Sequence, residues 1–296
     1  MTPTVPTPGG PAVVALGGGH GLATTLRAAR SYAGRITAVV SVADDGGSSG
    51  RLRKAFGIPA PGDLRRCFGA LADDESLLAQ AFEHRFDSGE LDGHPVGNLL
   101  IAGLTAASGD FVAALAETGR LLQACGDVLP ATADPVVLVA ETEHDTITGQ
   151  VEVDRTADIE RIRLEPPAPP TPRPVLDAIA SADQIVIGPG SLHTSLLAVL
   201  AVPEINLALQ RATAETVFVA NLRAVRSTTG WNLARHLDAL AAHGIQPHTV
   251  LIDENSHLGD GDLSQTARIV RRPIARFDVP AHDPVQLAKA LADLVG

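Results

Sequence analysis

Aromatic side chains are nearly missing: Phe, Trp and Tyr together make up 3% of the 296 residues, with one Trp and one Tyr. A stacking platform for single-stranded nucleic acid has little material here. Basic charge is also scarce, with 23 Lys and Arg against 34 Asp and Glu. The resulting formal net charge of −11 opposes non-specific attraction to phosphate backbones or anionic lipid. The two cysteines, Cys67 and Cys125, lack metal-ligand spacing. They support neither a disulfide scaffold nor a zinc site. The longest apolar run, Leu196 to Val202, falls far short of the roughly 20 residues that span a bilayer. Met1 to Pro11 is rich in Pro, Thr and Gly, has no basic flank and no apolar run, and reads as a loose tail. These absences predict a soluble, reduced, cytoplasmic protein with no nucleic-acid and no membrane partner.

What is present is a mostly aliphatic chain, 45% hydrophobic and 19% charged, long enough to bury a core without staples. Ala12 to Leu16 and Ile36 to Val42 read as strands, and Leu22 to Arg30 as a helix between them. A helical block covers about 61–124, with starts at Gly62-Asp63, Asp74, Pro95 and after Gly109-Asp110. Val136 to Ala140, Gln150 to Val153 and Ile159 to Leu164 look β-like, and the prolines of Pro166 to Pro170 form a stiff crossover. Alternation then resumes: helix Pro174 to Ala180, strand Gln184 to Ile187, helix Ser191 to Val199, strand Thr216 to Asn221, helix Trp231 to His243, strand Thr249 to Ile252 and helix Asp283 to Val295. The pattern predicts one α/β domain over 12–296, a mainly parallel sheet with helices on both faces and a helical insertion.

Ligands of such sheets bind beyond the carboxyl ends of the strands, and three glycine-rich loops fall there. Gly17-Gly18-Gly19-His20-Gly21 is either a tight strand-to-helix turn or a bare approach for an anion to backbone amides. It is not a dinucleotide fingerprint, because the third glycine position holds Leu22. Asp44-Asp45 precede Gly46-Gly47-Ser48-Ser49-Gly50 and Arg51, a loop in which the acids suit a ribose or a divalent metal while hydroxyls and amides suit phosphate. Asp63 either caps a helix or joins that site, and His94 and Asn98 stand at the mouth of an apolar helix. Gly188-Pro189-Gly190-Ser191, with Thr194 and Ser195, places a glycine turn and hydroxyls at a helix start. Neither a Walker A sequence nor a G-x-S-x-G elbow occurs.

In order, Gly17 to Gly21, Asp44 to Arg51, Pro61-Gly62-Asp63-Leu64-Arg65, Gly93-His94 to Leu100 and Gly188 to Ser195 resemble the motifs of the YvcK/CofD-like family, closest to its YvcK branch of gluconeogenesis factors. The resemblance implies a Rossmann-like fold and a ligand site at Gly17, Gly18, Gly19, Gly21, Asp44, Asp45, Gly46, Gly47, Ser48, Ser49, Arg51, Asp63, His94, Asn98, Gly188, Pro189, Gly190, Ser191, Thr194, Ser195 and Asn221. It implies a regulatory protein that binds UDP-sugars such as UDP-N-acetylglucosamine and supports cell shape and gluconeogenic growth, with no required cofactor. The alternative it implies is a CofD-like transferase of the 2-phospho-L-lactate type, using a nucleotide-activated donor and Mg²⁺ on Asp44 and Asp45. A regulatory protein partner is expected in the first case, and a homo-oligomer stays open. Family members usually carry Thr, Asn and Tyr where this chain has His20, Arg66 and His193. After Asn221 the family segment is replaced by one bearing Arg223 and Arg226, with Trp231 at the usual aromatic position, and these three join the expected ligand residues.

Overall fold

The computed structural model of the protein describes residues 7–263 and 267–295. β1 Ala12–Gly17, α1 Gly19–Ala29 and β2 Arg35–Val40 form the first unit, and both strands are buried beyond their first residue. Next come α2 Gly47–Phe56, α3 Gly62–Leu71, α4 Leu77–Glu83, α5 Val96–Ser108 and α6 Phe111–Leu122, then β3 Asp127–Pro130. β4 Val137–Glu141, β5 Thr146–Thr148, α7 Gln150–Arg155 and β6 Arg161–Glu165 build a side structure, and α8 Arg173–Ala180 returns the chain to β7 Gln184–Ile187. A π-helical turn, Leu192–Leu196, runs into α9 Leu197–Leu200. α10 Pro203–Arg211, β8 Glu215–Val219, α11 Leu233–Ala242, β9 Thr249–Asp253, β10 Arg268–Arg272 and α12 Pro284–Ala292 complete the order.

Seven strands form one parallel sheet in the order β10-β9-β8-β7-β1-β2-β3, and β5-β4-β6 form a small antiparallel sheet. The central strands are near-continuous runs of Val, Ile, Leu and Ala, as a sheet covered on both faces requires. One apolar core extends from this sheet into β4 and β6 through Leu138, Ile162 and Leu164. The strand order reverses direction between β1 and β7, so the loops after these two strands diverge from one crevice, where such sheets bind ligands. No single described helix is long and apolar enough to cross a membrane.

Several elements differ from the sequence expectation. Gln150 to Val153 is helical, because the Asp45 carboxylate, far away in sequence, accepts from the N–H groups of Gln150 and Val151 and caps α7. Gly47 to Gly50, read as loop, is the first turn of α2. There the close approach decides the residue: a Cβ on Gly50 would meet the Asp45 carbonyl at 2.0 Å. The helical block breaks at residues 84–95, and its second helix starts at Leu77 with Ser76 as cap rather than at Asp74. The two edge strands, β3 and β10, were not expected. Of the tail, residues 1–6 lie outside the described residues, whereas the Thr7 N–H donates to Ala33 O and the Gly34 N–H to Pro11 O. Thr7 to Pro11 is therefore tied to the turn between α1 and β2 rather than loose.

Candidate functional site

The loops after β1 and β7 meet backbone to backbone. A Cβ on Gly21 would lie 1.7 Å from the Pro189 carbonyl oxygen, so glycine at 21 is what lets the two turns close on each other. A Cβ on Gly18 would lie 2.5 Å from Asp63 Oδ2 and 3.2 Å from Ser195 Oγ. Two of the glycines thus admit other parts of the protein rather than a ligand. Gly19 differs: its φ is +63°, nothing stands near its missing side chain, and it lines the cavity.

That cavity, about 410 Å³, is lined by Gly18 to Gly21, Asp44, Asp63, Arg66, Gln150, Asp154, Gly190, Ser191, Thr194, Ser195, Asn221 and Val225. Asn221, just beyond β8, clamps the second turn. Its Oδ1 accepts from the Gly190 N–H at 2.9 Å and its Nδ2 donates to the Gly190 carbonyl at 2.7 Å. The Gly190 amide is therefore spent on Asn221 and is not a donor to a ligand, contrary to the expectation for this turn. Ser191 is the N-cap of the following helical turn, accepting from the Thr194 N–H. The hydroxyls of Ser191, Thr194 and Ser195 supply the neutral donors at the helix start.

The start of α1 is already occupied. Asp63 accepts from the Gly19 N–H, and its Oδ1 pairs with Arg66 Nη1 at 2.6 Å. Burial nevertheless raises its pKa, with the nearby Asp44 adding to the rise, against the lowering by Arg66 and the Gly19 amide. His20 has its pKa lowered, first by burial and then by Arg66, with Asp63 opposing and Arg65 and Arg27 adding to the fall. With Asp63 and Arg66 offsetting each other and His20 neutral, Asp44 and Asp154 leave the lining net acidic.

For a divalent cation the donor set fits in part. Asp44 lines the cavity and spends Oδ1 on the Gly46 N–H, with no hydrogen bond to Oδ2 among the described residues, which suits a Mg²⁺ held by one or two carboxylates and by ligand phosphates. Asp45 does not fit, because both of its oxygens cap α7 and it does not line the cavity. Asp45→Ala should thus destabilise the protein by about 1 kcal/mol, the usual cost of a lost cap, and leave any Mg²⁺ dependence of nucleotide binding intact. Asp44→Asn should reduce that dependence. Urea unfolding and binding titrations with and without chelator check both.

The remaining expected residues sit elsewhere. Ser48, His94 and Asn98 are buried together, Ser48 Oγ lying 2.8 Å from His94 Nδ1 and accepting from Asn98 Nδ2 at 3.1 Å. Burial, then Arg51 and Arg85, lowers the His94 pKa, and Asn98 Oδ1 is buried without a partner. This trio braces α2 against α5 rather than lining the cavity. The Ser49 hydroxyl packs against Gly62, Gly46 and Gly47 start α2, and Gly188 packs on Thr25. Arg51 donates to the Asp92 carbonyl. Arg223 and Arg226 are exposed and do not line the cavity, whereas Val225 between them does. Trp231 is a core residue, 7% exposed, its ring edge-on to His193 and His236 and under the Arg235 guanidinium, which lies 4.2 Å from the ring centroid.

Lining residues that were not expected are His20, Arg66, Gln150, Asp154 and Val225. Arg66 carried a signal, since it follows Asp63 at i+3 on α3. Gln150 and Asp154 carried none, because their helix depends on Asp45.

The family described as 2-phospho-L-lactate transferase CofD matches residues 13–280. The gluconeogenesis factor of Halalkalibacterium halodurans is 45% identical over 235 residues, 78% of this chain and 73% of that protein. The gluconeogenesis factor of Bacillus subtilis is 37% identical over 96% of this chain and 98% of its own. The crystal structure of a Bacillus halodurans protein of the UPF0052 family superposes with a TM-score of 0.89 at 36% identity, covering 94% of this chain and 97% of that one. By sequence over nearly its whole length, and by fold, the chain belongs to the CofD/YvcK family, which includes proteins named gluconeogenesis factor.

Proposed function

We propose that the chain is a nucleotide-sugar-binding regulatory protein of the gluconeogenesis-factor branch, taking a UDP-sugar of the UDP-N-acetylglucosamine type in the crevice between the β1 and β7 loops. The observation that carries this reading is the pairing of two glycine turns at the strand-order reversal, with Ser191, Thr194 and Ser195 at an open helix start. The hydroxyls there suit a diphosphate, whose oxygens accept from them. Occupancy acts as a signal only if the ligand binds two conformations of the protein unequally.

A specific observation favours a second reading. The lining is net acidic, so a diphosphate needs a divalent cation between itself and Asp44, the arrangement of a transferase that uses a nucleotide-activated donor. A cation there supplies charge neutralisation at the diphosphate. Incubation of the protein with UDP-N-acetylglucosamine and Mg²⁺ separates the two. A regulator binds saturably and returns the ligand intact, whereas a transferase turns the donor over once a suitable acceptor is present. Absence of binding by native mass spectrometry, with and without Mg²⁺, would remove the first reading.

Asn221 offers the sharper mutational test. Asn221→Ala frees the Gly190 turn on both sides, and UDP-sugar binding should weaken by on the order of tenfold or more, about 1.4 kcal/mol, in a protein that remains folded. Unchanged affinity by titration calorimetry would move the ligand away from this turn.

A further inference from the structure

Beside the acidic cavity lies a second one of about 270 Å³, between α1, α3 and α4, and the two share His20 and Arg66 as a common wall. Its charged lining is different in kind. Arg27, Arg65 and Arg66 face Asp74 and Glu83, and the Glu83 carboxylate is already paired with Arg65 Nη1. Arg66 is held by Asp63. Arg27 is exposed on α1 and, among the described residues, makes no ion pair. Arg65 is 5% exposed, and its Nε is buried without an acceptor. That N–H is sealed from the cavity, but among the described residues Arg65 and Arg66 each spend a single Nη on a carboxylate, so with Arg27 the wall carries more guanidinium donors than the carboxylates beside it take up.

We propose that this cavity is an anion subsite for a phosphate monoester borne by a second small molecule. A phosphate fits better than a carboxylate because one bidentate guanidinium satisfies a carboxylate, whereas the three terminal oxygens of a phosphate accept from several donors arriving from different elements. Here the donors arrive from α1 and α3. His20 stands on the shared wall, its pKa lowered first by burial and then by Arg66, Arg65 and Arg27 with Asp63 opposing them, so a dianion in the cavity offsets the share of the lowering that those cations contribute. The proposal rests on the nucleotide-sugar reading only for what occupies the adjoining crevice.

Titration calorimetry with inorganic phosphate at constant ionic strength, on the full chain, tests it. The wild-type protein should bind phosphate, and Arg27→Gln should weaken that binding at least tenfold with an unchanged melting temperature, while Arg27→Lys retains part of it. Asn221→Ala, which disturbs only the first crevice, should bind phosphate as the wild type does. The His20 midpoint, followed by NMR, should rise when phosphate is added to the wild type and stay in place in Arg27→Gln. Equal phosphate binding by the wild type and Arg27→Gln, or binding lost in Asn221→Ala and kept in Arg27→Gln, would overturn the subsite. Absence of phosphate binding in the wild type would overturn it as well. UDP-N-acetylglucosamine titrated into the same proteins keeps the two ideas apart: failure of that ligand with an Arg27-dependent phosphate site removes the nucleotide-sugar reading and leaves the subsite standing.

Discussion

Gly21→Ala should be among the most damaging single substitutions in this chain, destabilising it by roughly 3 kcal/mol or more and abolishing ligand binding in the crevice. The added methyl would lie 1.7 Å from the carbonyl oxygen of Pro189, and neither partner is the end of a flexible side chain. One is the backbone of the first turn of α1, and the other is the backbone of the turn after β7, itself clamped through Gly190 by Asn221. Relief therefore requires the two loops to separate, which opens the switch point and displaces Ser191, Thr194 and Ser195 from Gly19. Gly19→Ala supplies the contrast. Its backbone is left-handed at φ +63°, but a Cβ there meets nothing within 4 Å, so only the conformational cost of about 1 kcal/mol applies. Urea unfolding of both variants checks the order, and a Gly21→Ala protein at least as stable as Gly19→Ala would show that the loops are not in contact.

The contrast between these glycines shows what the sequence could and could not reveal. A glycine run after an apolar strand predicts a tight turn at the ligand edge, and the turn is there. Whether each missing side chain makes room for a ligand or for another part of the protein depends on what approaches from elsewhere in the chain. Gly21 faces Pro189, Gly18 faces Asp63, and Gly19 faces the cavity. The central strands were legible because they are buried on both faces and read as unbroken aliphatic runs. The edge strands were not, for opposite reasons. Asp127–Pro130 ends in a proline that only an edge position tolerates, and Arg268–Arg272 carries the charges that keep an edge from pairing further. Helix α7 is not legible as a helix because its cap is Asp45, a residue with no local signature at Gln150. The same long-range bond removes Asp45 from the acidic pair that adjacency in sequence suggests.

Acid should weaken the fold through His193. The residue is 1% exposed in the turn that follows Ser191, its Nδ1 is buried without a partner, and its ring stands edge-on to Trp231 with centroids 5.3 Å apart. Burial lowers its pKa from 6.5 to about 4, and the charges of His236, His243 and Arg235 push in the same direction. The folded state therefore binds the proton less readily than the unfolded chain. Between pH 6.5 and about 4 the unfolded state holds more protons, so the contribution of a neutral His193 is fully present above pH 6.5, is lost as the pH falls through that window, and changes no further below it. At 1.36 kcal/mol per pH unit the loss amounts to about 3 kcal/mol. His193→Phe keeps an aromatic edge against Trp231 and removes the titrating nitrogen, so its stability should fall less steeply over the same window. His236 also has a lowered pKa, chiefly from burial, and remains in both proteins, which makes the difference between the two curves the informative quantity. Because Ser191, Thr194 and Ser195 share that turn, nucleotide affinity should fall with stability in the wild type and be better retained in His193→Phe. Denaturant midpoints measured from pH 8 to pH 4 check this, and parallel curves for the two proteins would place the acid sensitivity outside this residue.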